Sequence, residues 1–201
     1  MLDSTIISII FLLCWGALFL TWIWGALHNV LSGPEILRRG INPRRWLLIG
    51  IIGILLTSLL VNYTDNIHAG PVPALTVNVP ELQVIGAILL IIATLFTLWS
   101  RIVLGNMWSS VATLKSGHQL RTDGPYRVTR HPIYTGMLGM LAGTALVYLF
   151  ALPILVLGLV VFLNKIAEEE QLMAQQFGEQ YAEYKHRVPQ LIPGFRGRKK
   201  R

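Results

Sequence analysis

Apolar residues gather in long uncharged runs along this chain. The runs bounded by Asp3 and Glu35, by Arg45 and Asp65, and by Glu81 and Arg101 each predict one membrane-crossing helix. A hydrocarbon core of about 30 Å needs roughly 20 helical residues at about 1.5 Å each. A fourth run, from Pro132 to Asn164, is too long for one ordinary span. Beyond it, from Lys165 to His186, the chain turns polar but keeps Met173, Phe177, Tyr181 and Tyr184 at spacings of four, four and three. That pattern predicts an amphipathic helix on the membrane surface, with Gly178 expected to break it in two. Composition agrees: 53% of the 201 residues are hydrophobic and only 13% are charged, outside the range of ordinary soluble domains.

The basic residues resolve the ambiguous fourth run. All 17 fall in three stretches: Arg38 to Arg45, Arg101 to Arg130, and Lys165 onward. Short loops rich in Lys and Arg stay cytoplasmic. The N-terminus is therefore expected outside, the first and second basic stretches inside, and the Asp65 loop between them outside. A single span from Pro132 to Asn164 would export the last basic stretch, whereas two spans retain it. The expected fold is thus an all-α polytopic bundle of five transmembrane helices. Its last two form a tight hairpin turning near Phe150 to Pro153, followed by the cytoplasmic amphipathic helix. Each arm of that hairpin has about 16 residues, or roughly 24 Å of helix, somewhat short for a bilayer. One membrane domain covers 1–201, with 1–100 as a three-helix scaffold and 101–201 carrying the chemistry.

Met1-Leu2-Asp3 lacks a basic residue and precedes an apolar stretch longer than a signal core, so the first helix is expected to be retained. Cys14, the sole cysteine, lies inside that helix and is expected to pack there; it rules out disulfides within the chain and a cysteine metal cluster. Trp22, Trp24, Trp46 and Trp99 sit toward run ends, as in an interfacial aromatic belt. The tail Arg196-Gly197-Arg198-Lys199-Lys200-Arg201 suits a topology determinant or a contact with anionic membrane lipids rather than nucleic acid. The outer loop's Gly70-Pro71-Val72-Pro73 is turn-rich and carries no catalytic constellation.

Candidate chemistry concentrates at two places. Gly124-Pro125-Tyr126-Arg127-Val128-Thr129-Arg130-His131-Pro132-Ile133-Tyr134-Thr135-Gly136 stands directly before the fourth run, and Glu168-Glu169-Glu170 directly after it. Pro132 favours extended backbone at His131 and is well placed as the first residue of a helix. The unpaired amides and positive end of that helix, beside Arg130, suit a carboxylate or phosphate. Arg130 and His131 equally suit snorkelling interface residues. Three consecutive acids repel one another, so at least one calls for a cationic partner; a polar helix cap is the simpler alternative. Together, a helix start that takes an anion and an inward carboxylate suit a ligand bearing both an ammonium and a carboxylate.

The chain resembles the integral-membrane isoprenylcysteine carboxyl methyltransferase family and its phospholipid methyltransferase relatives. The likeness rests on Leu104-Gly105-Asn106-Met107-Trp108-Ser109, Gly117-His118-Gln119-Leu120, Gly124-Pro125-Tyr126-Arg127 and Arg130-His131-Pro132-Ile133-Tyr134-Thr135-Gly136. After the apolar run it continues through Glu169-Glu170-Gln171-Leu172, the stretch Phe177 to Tyr184, and Val188-Pro189-Gln190-Leu191-Ile192-Pro193. The resemblance covers about the last hundred residues. It implies S-adenosylmethionine as methyl donor in a cytoplasm-facing pocket, and a lipophilic acceptor arriving from the bilayer. Carried over by position, Arg130, His131, Pro132 and Tyr134 belong to the first cofactor-binding block and Glu169 and Glu170 to the second. Trp108, Gly124 and Tyr126 fall at supporting positions, with Trp108 and Tyr126 expected near the cofactor. Arg130, His131, Glu169 and Glu170 are the expected catalytic set.

Methyl transfer from a sulfonium is an in-line displacement with an excellent leaving group, so the protein mainly positions. A carboxylate or thiolate acceptor needs no general base, in keeping with the lack of a recognisable dyad or triad. An amine must lose a proton, with Glu169, Glu170 or His131 the nearest candidates. His28, His68, His118, His131 and His186 are scattered without metal-ligand spacing, so no metal is expected. No Gly-rich phosphate loop or Rossmann pattern occurs. The acceptor stays open among an isoprenylcysteine-like carboxylate, a phospholipid amine and a small thiol. A non-catalytic membrane subunit that has kept the pocket is the alternative from another class.

Overall fold

The computed structural model describes residues 4–32, 36–39, 77, 79–107, 113–115 and 119–192. Helix α1 spans Ser4–Ser32 and α2 spans Pro80–Leu104. Helix α3 spans Pro132–Val147 and α4 spans Ala151–Arg187. Two short strands, β1 (Ile36–Arg39) and β2 (Thr113–Lys115), pair antiparallel.

This corrects the expected all-α bundle of five spans. Among the described residues there are four α-helices, and three of them, over Thr5–His28, Pro80–Leu104 and Ala151–Arg187, are long and apolar enough to cross a membrane. The run from Arg45 to Asp65 lies outside the described residues. Helix α3 has 16 residues and is not among the three; at about 1.5 Å per residue it covers roughly 24 Å of a core of about 30 Å. The expected last span runs without a break into the first part of the expected surface helix, as far as Phe177, and the rest of α4 follows a kink at Gly178. No Pro or Gly interrupts Asn164 to Phe177, and the Ala, Glu, Gln, Leu and Met residues there all favour helix. The strand pair was not legible as such. It lets two loop segments satisfy each other's backbone polar groups, and it ties the chain leaving α1 to the chain approaching Gly124.

Helix α2 begins with Pro80 and Glu81 and carries Arg101 in its last turn, in line with its dipole. Gly105, at φ 56°, ends it by donating its amide to the Arg101 and Ile102 carbonyls. Among the described residues, helices α2 and α3 pack closely. A Cβ on Gly143 would lie 2.7 Å from the Gly86 carbonyl oxygen and 2.8 Å from the Leu90 amide, so only glycine permits this approach of the two backbones. Within α2, the buried hydroxyls of Thr94, Thr97 and Ser100 donate to carbonyls one turn earlier, which satisfies them without water.

Helix α1 joins through Cys14 and Leu18, packed with Leu90, Ala93 and Met140. Trp15 Nε1 donates to Thr144 Oγ1 on α3 at 3.3 Å. Cys14 therefore packs, as its position predicts. Trp24 and Trp99 are exposed, as an interfacial belt requires, whereas Trp22 packs against the core; Trp46 lies outside the described residues. Helix α4 buries Tyr181 and Tyr184 within the protein rather than on a membrane surface, and its backbone breaks at Gly178 (φ 48°, ψ −122°), as expected.

Candidate functional site

The two charged blocks meet at the start of α3. Residues Gly124–Arg127 form a single 3₁₀ turn, opened by Gly124 at φ 54°, and the amides of Val128 and Thr129 close it on the Pro125 carbonyl. The turn buries Pro125 and Tyr126 and delivers Thr129, Arg130 and His131 to the first turn of α3. Burial, reinforced by the nearby Glu169 charge, raises the Tyr126 phenol well above its usual range, so it remains a neutral donor. Its carbonyl accepts from Tyr184 Oη at 2.7 Å, which fastens the turn to α4.

Arg130 and Glu170 form the centre, each side chain only 10% exposed. Arg130 Nε and Nη2 donate to Glu170 Oε1 at 2.9 and 2.7 Å. Arg130 Nη1 donates to the carbonyls of Val188 at 2.6 Å and Lys185 at 3.2 Å. Lys185 Nζ lies 2.7 Å from Glu170 Oε2, and Gln190 Nε2 donates to Glu170 Oε1 at 3.4 Å. Lys185 and Glu170 are fifteen residues apart. On a straight helix that separation is about 22 Å, so their contact requires the reversal at Gly178.

Residues Val188 to Leu191 then run as a strap across the start of α3. The Pro189 carbonyl accepts from the Arg130 amide at 2.8 Å. The Gln190 carbonyl accepts from the His131 amide at 3.2 Å and from Thr129 Oγ1 at 2.6 Å. The Leu191 carbonyl accepts from Thr135 Oγ1 at 2.8 Å. The amides of Arg130 and His131, directly ahead of Pro132, thus already serve the chain's own carbonyls.

Glu169 is held differently. Tyr134 Oη donates to its Oε1 at 2.5 Å, and His131 Nδ1 lies 3.5 Å from its Oε2. Its side chain is 26% exposed. His131 Nε2 faces Glu170 Oε1 at 3.3 Å, so the imidazole stands between the two carboxylates. Tyr134 stacks on His131 (centroids 6.0 Å apart, 24° between planes) and on Phe162 of α4 (4.9 Å, 24°).

The structure therefore brings Arg130, His131, Pro132, Tyr134, Glu169 and Glu170 together, with Tyr126 supporting the preceding turn; Trp108 lies outside the described residues. Sequence reasoning missed Lys185, Thr129, Thr135, Phe162 and the backbone of the strap. Lys185 was hidden because helical spacing assumes a straight axis. The strap was hidden because carbonyls leave no side-chain signature.

Burial alone would lower the His131 pKa, but its hydrogen bonds to Glu169 and Glu170 outweigh that and hold it above the usual 6.5. The linkage follows from the sign: His131 contributes stability that is complete below the unfolded value and disappears as pH rises through the folded one. Melting temperature in detergent is expected to decline across that window above pH 6.5. His131→Gln should flatten this part of the profile, and an unchanged slope would show that the imidazole does not carry it.

Comparison with known proteins agrees with this architecture. Residues 82–180 match the phospholipid methyltransferase family. Protein-S-isoprenylcysteine O-methyltransferase B of Arabidopsis thaliana is 38% identical over 79 residues, 38% of this chain and 40% of that protein. A rice protein (Oryza sativa subsp. indica) named as a probable protein-S-isoprenylcysteine O-methyltransferase is 27% identical over 188 residues, 86% of this chain and 95% of that one. The solved structure of a eukaryotic intramembrane Ras methyltransferase, an isoprenylcysteine carboxyl methyltransferase, superposes with TM-score 0.56 at 22% identity and supports the shared fold. That match covers 79% of this chain and 56% of the other. The chain is a multi-pass membrane protein, and over residues 82–180 it is similar to the phospholipid methyltransferase family.

Proposed function

We propose that this chain transfers a methyl group from S-adenosylmethionine to the carboxylate of a lipophilic, isoprenylcysteine-like acceptor. The observation that carries this reading is the meeting of Arg130 and His131 with Glu169 and Glu170 where α3 starts and the apolar part of α4 ends. Polar groups able to hold a charged cofactor there stand directly beside apolar helix surface able to hold a hydrocarbon tail.

S-adenosylmethionine supplies a methyl on a sulfonium, together with an ammonium and a carboxylate. The residues present fit a cationic ligand, since the partly exposed Glu169 is held in place by Tyr134 and His131. Glu169, His131 and Tyr134 would hold the cofactor, with Arg130 and Glu170 fixing the frame behind them. The chain's task is then orientation and exclusion of water, and orientation alone can supply on the order of 7 to 11 kcal/mol of a barrier. His131 has a carboxylate at each ring nitrogen and a raised pKa, so it favours the donor form and is a poor base. An amine acceptor would need a base, whereas a carboxylate needs none.

Incubation with methyl-labelled donor and a matched acceptor pair tests this. A prenylated cysteine should be methylated with much higher kcat/KM than the same headgroup without its chain. Equal efficiency would sink recognition of the tail, and label found only on phospholipid amine would replace the carboxylate.

The site is further proposed to face the cytoplasm, because Arg121, Arg127 and Arg130 precede it and Lys165, Lys185 and Arg187 follow it, whereas residues 62–80 around Asp65 carry no Lys or Arg. With Cys14 replaced by Ser, impermeant thiol reagents should label Asp65→Cys and Lys199→Cys from opposite faces. Labelling from one face would refute this orientation.

A further inference from the structure

The strap over the start of α3 leads into the most basic stretch of the chain. From Tyr184 to Arg201 there are seven Lys or Arg and no Asp or Glu, and five of the seven lie between Arg196 and Arg201. Only Pro193, Gly194 and Phe195 separate that run from Ile192. Methyl transfer gives these five charges no role.

The position of the strap says what such a run would meet. Its carbonyls accept from the amides of Arg130 and His131 and from the hydroxyls of Thr129 and Thr135, so it lies level with the first turn of α3. In that turn the polar block gives way to the apolar run, which puts the strap at the membrane interface. Ile192, just beyond it, is 64% exposed, an apolar side chain suited to that depth. Arg196 follows four residues later, and four residues reach at most about 14 Å, so the basic run begins close to the same plane. Its charge is complementary to a leaflet that holds anionic phospholipid, where each basic side chain strengthens attachment roughly fivefold.

We infer that the run from Arg196 to Arg201 seats on anionic phospholipid headgroups, and that this seating holds the strap closed over the start of α3. Tethering keeps the strap carbonyls near their donors, which raises their effective concentration without a new contact in the site. The charge of the membrane then sets the fraction of protein whose site is assembled, and ligand affinity scales with that fraction. The effect on ligand rests on the methyl-transfer reading, whereas the effect on the strap stands without it.

The whole chain in nanodiscs of phosphatidylcholine alone, or of an equimolar mixture with phosphatidylserine, tests both effects. Hydrogen exchange at the Arg130 and His131 amides reports the strap, because both donate to its carbonyls. In the anionic discs that exchange should slow about tenfold, and S-adenosylhomocysteine should bind more tightly by a similar factor. Combining Arg196→Gln, Arg198→Gln, Lys199→Gln, Lys200→Gln and Arg201→Gln should erase both differences. Combining Arg196→Lys, Arg198→Lys and Arg201→Lys should keep them, since the headgroups respond to charge. High salt should erase them in the wild type as well, which keeps the test independent of how the Gln variant folds.

Wild-type exchange that is the same in both lipids would overturn the seating, as would a slowing that survives in the Gln variant. Faster exchange in the anionic discs would mean that headgroups draw the strap away, and would overturn its closure. Slower exchange with unchanged S-adenosylhomocysteine affinity would overturn the link from strap to ligand. A wild-type protein that binds no S-adenosylhomocysteine in either lipid would overturn the methyl-transfer reading, while amide exchange would still decide the strap.

Discussion

Arg130→Ala is expected to lose 3 to 5 kcal/mol of stability, roughly what breaking one buried ion pair costs. For a chain of this size that corresponds to a drop of about 6 to 20 °C in apparent melting temperature. Three losses coincide in this variant. Glu170 keeps its desolvation but loses the guanidinium that offsets it, and the Val188 and Lys185 carbonyls lose their donor. Lys185 cannot compensate fully, since it is 43% exposed and an exposed pair contributes little. Arg130→Lys should recover only part, because an ammonium is a point donor and cannot span Glu170 and the strap as the planar fork does. Arg130→Ala combined with Glu170→Ala should cost less than the two single changes added together, since the pair is removed whole. A melting curve for Arg130→Ala that overlays the wild type would show that the pair carries no such load.

Periodicity, charge and motif position made much of this site legible. The juxtaposition of Arg130 and His131 with Glu169 and Glu170 followed from opposed charges at the two ends of one apolar run. The start of α3 at Pro132 and the break at Gly178 followed from backbone chemistry that is local to those residues. Hydropathy failed where it had to count elements. It registers apolar length, and it counted a 16-residue arm as a span and could not see that α4 continues through Lys165 without interruption. The direction in which Arg130 spends its donors was also out of reach. Side-chain type indicates that a guanidinium needs acceptors, but the backbone carbonyls of Val188 and Lys185 become available only after the chain has reversed.

That reversal is the point at which a single methyl group should do the most damage. Gly178 sits at φ 48° and ψ −122°, and space is not what excludes a side chain, because nothing lies within 4 Å of an added Cβ. The obstacle is the backbone itself: an L-residue held in such a region is strained by about 1 to 3 kcal/mol. Alanine also gains about 1 kcal/mol over glycine by continuing a helix. Both effects push Gly178→Ala toward a straight α4, which would carry Lys185 away from Glu170 and draw the strap off Thr129, Arg130, His131 and Thr135. Opposing them are the bonds of the return arm, including Tyr184 to the Tyr126 carbonyl, so the variant should populate both forms. Spin labels at the exposed residues Gln171 and His186 report the outcome directly. Their separation should be short in the wild type and gain a second population near the roughly 22 Å of a straight helix in Gly178→Ala. S-adenosylhomocysteine binding should fall in step with that population. An unchanged distance distribution together with unchanged binding would mean that the bend is imposed by its surroundings and that glycine at 178 is dispensable.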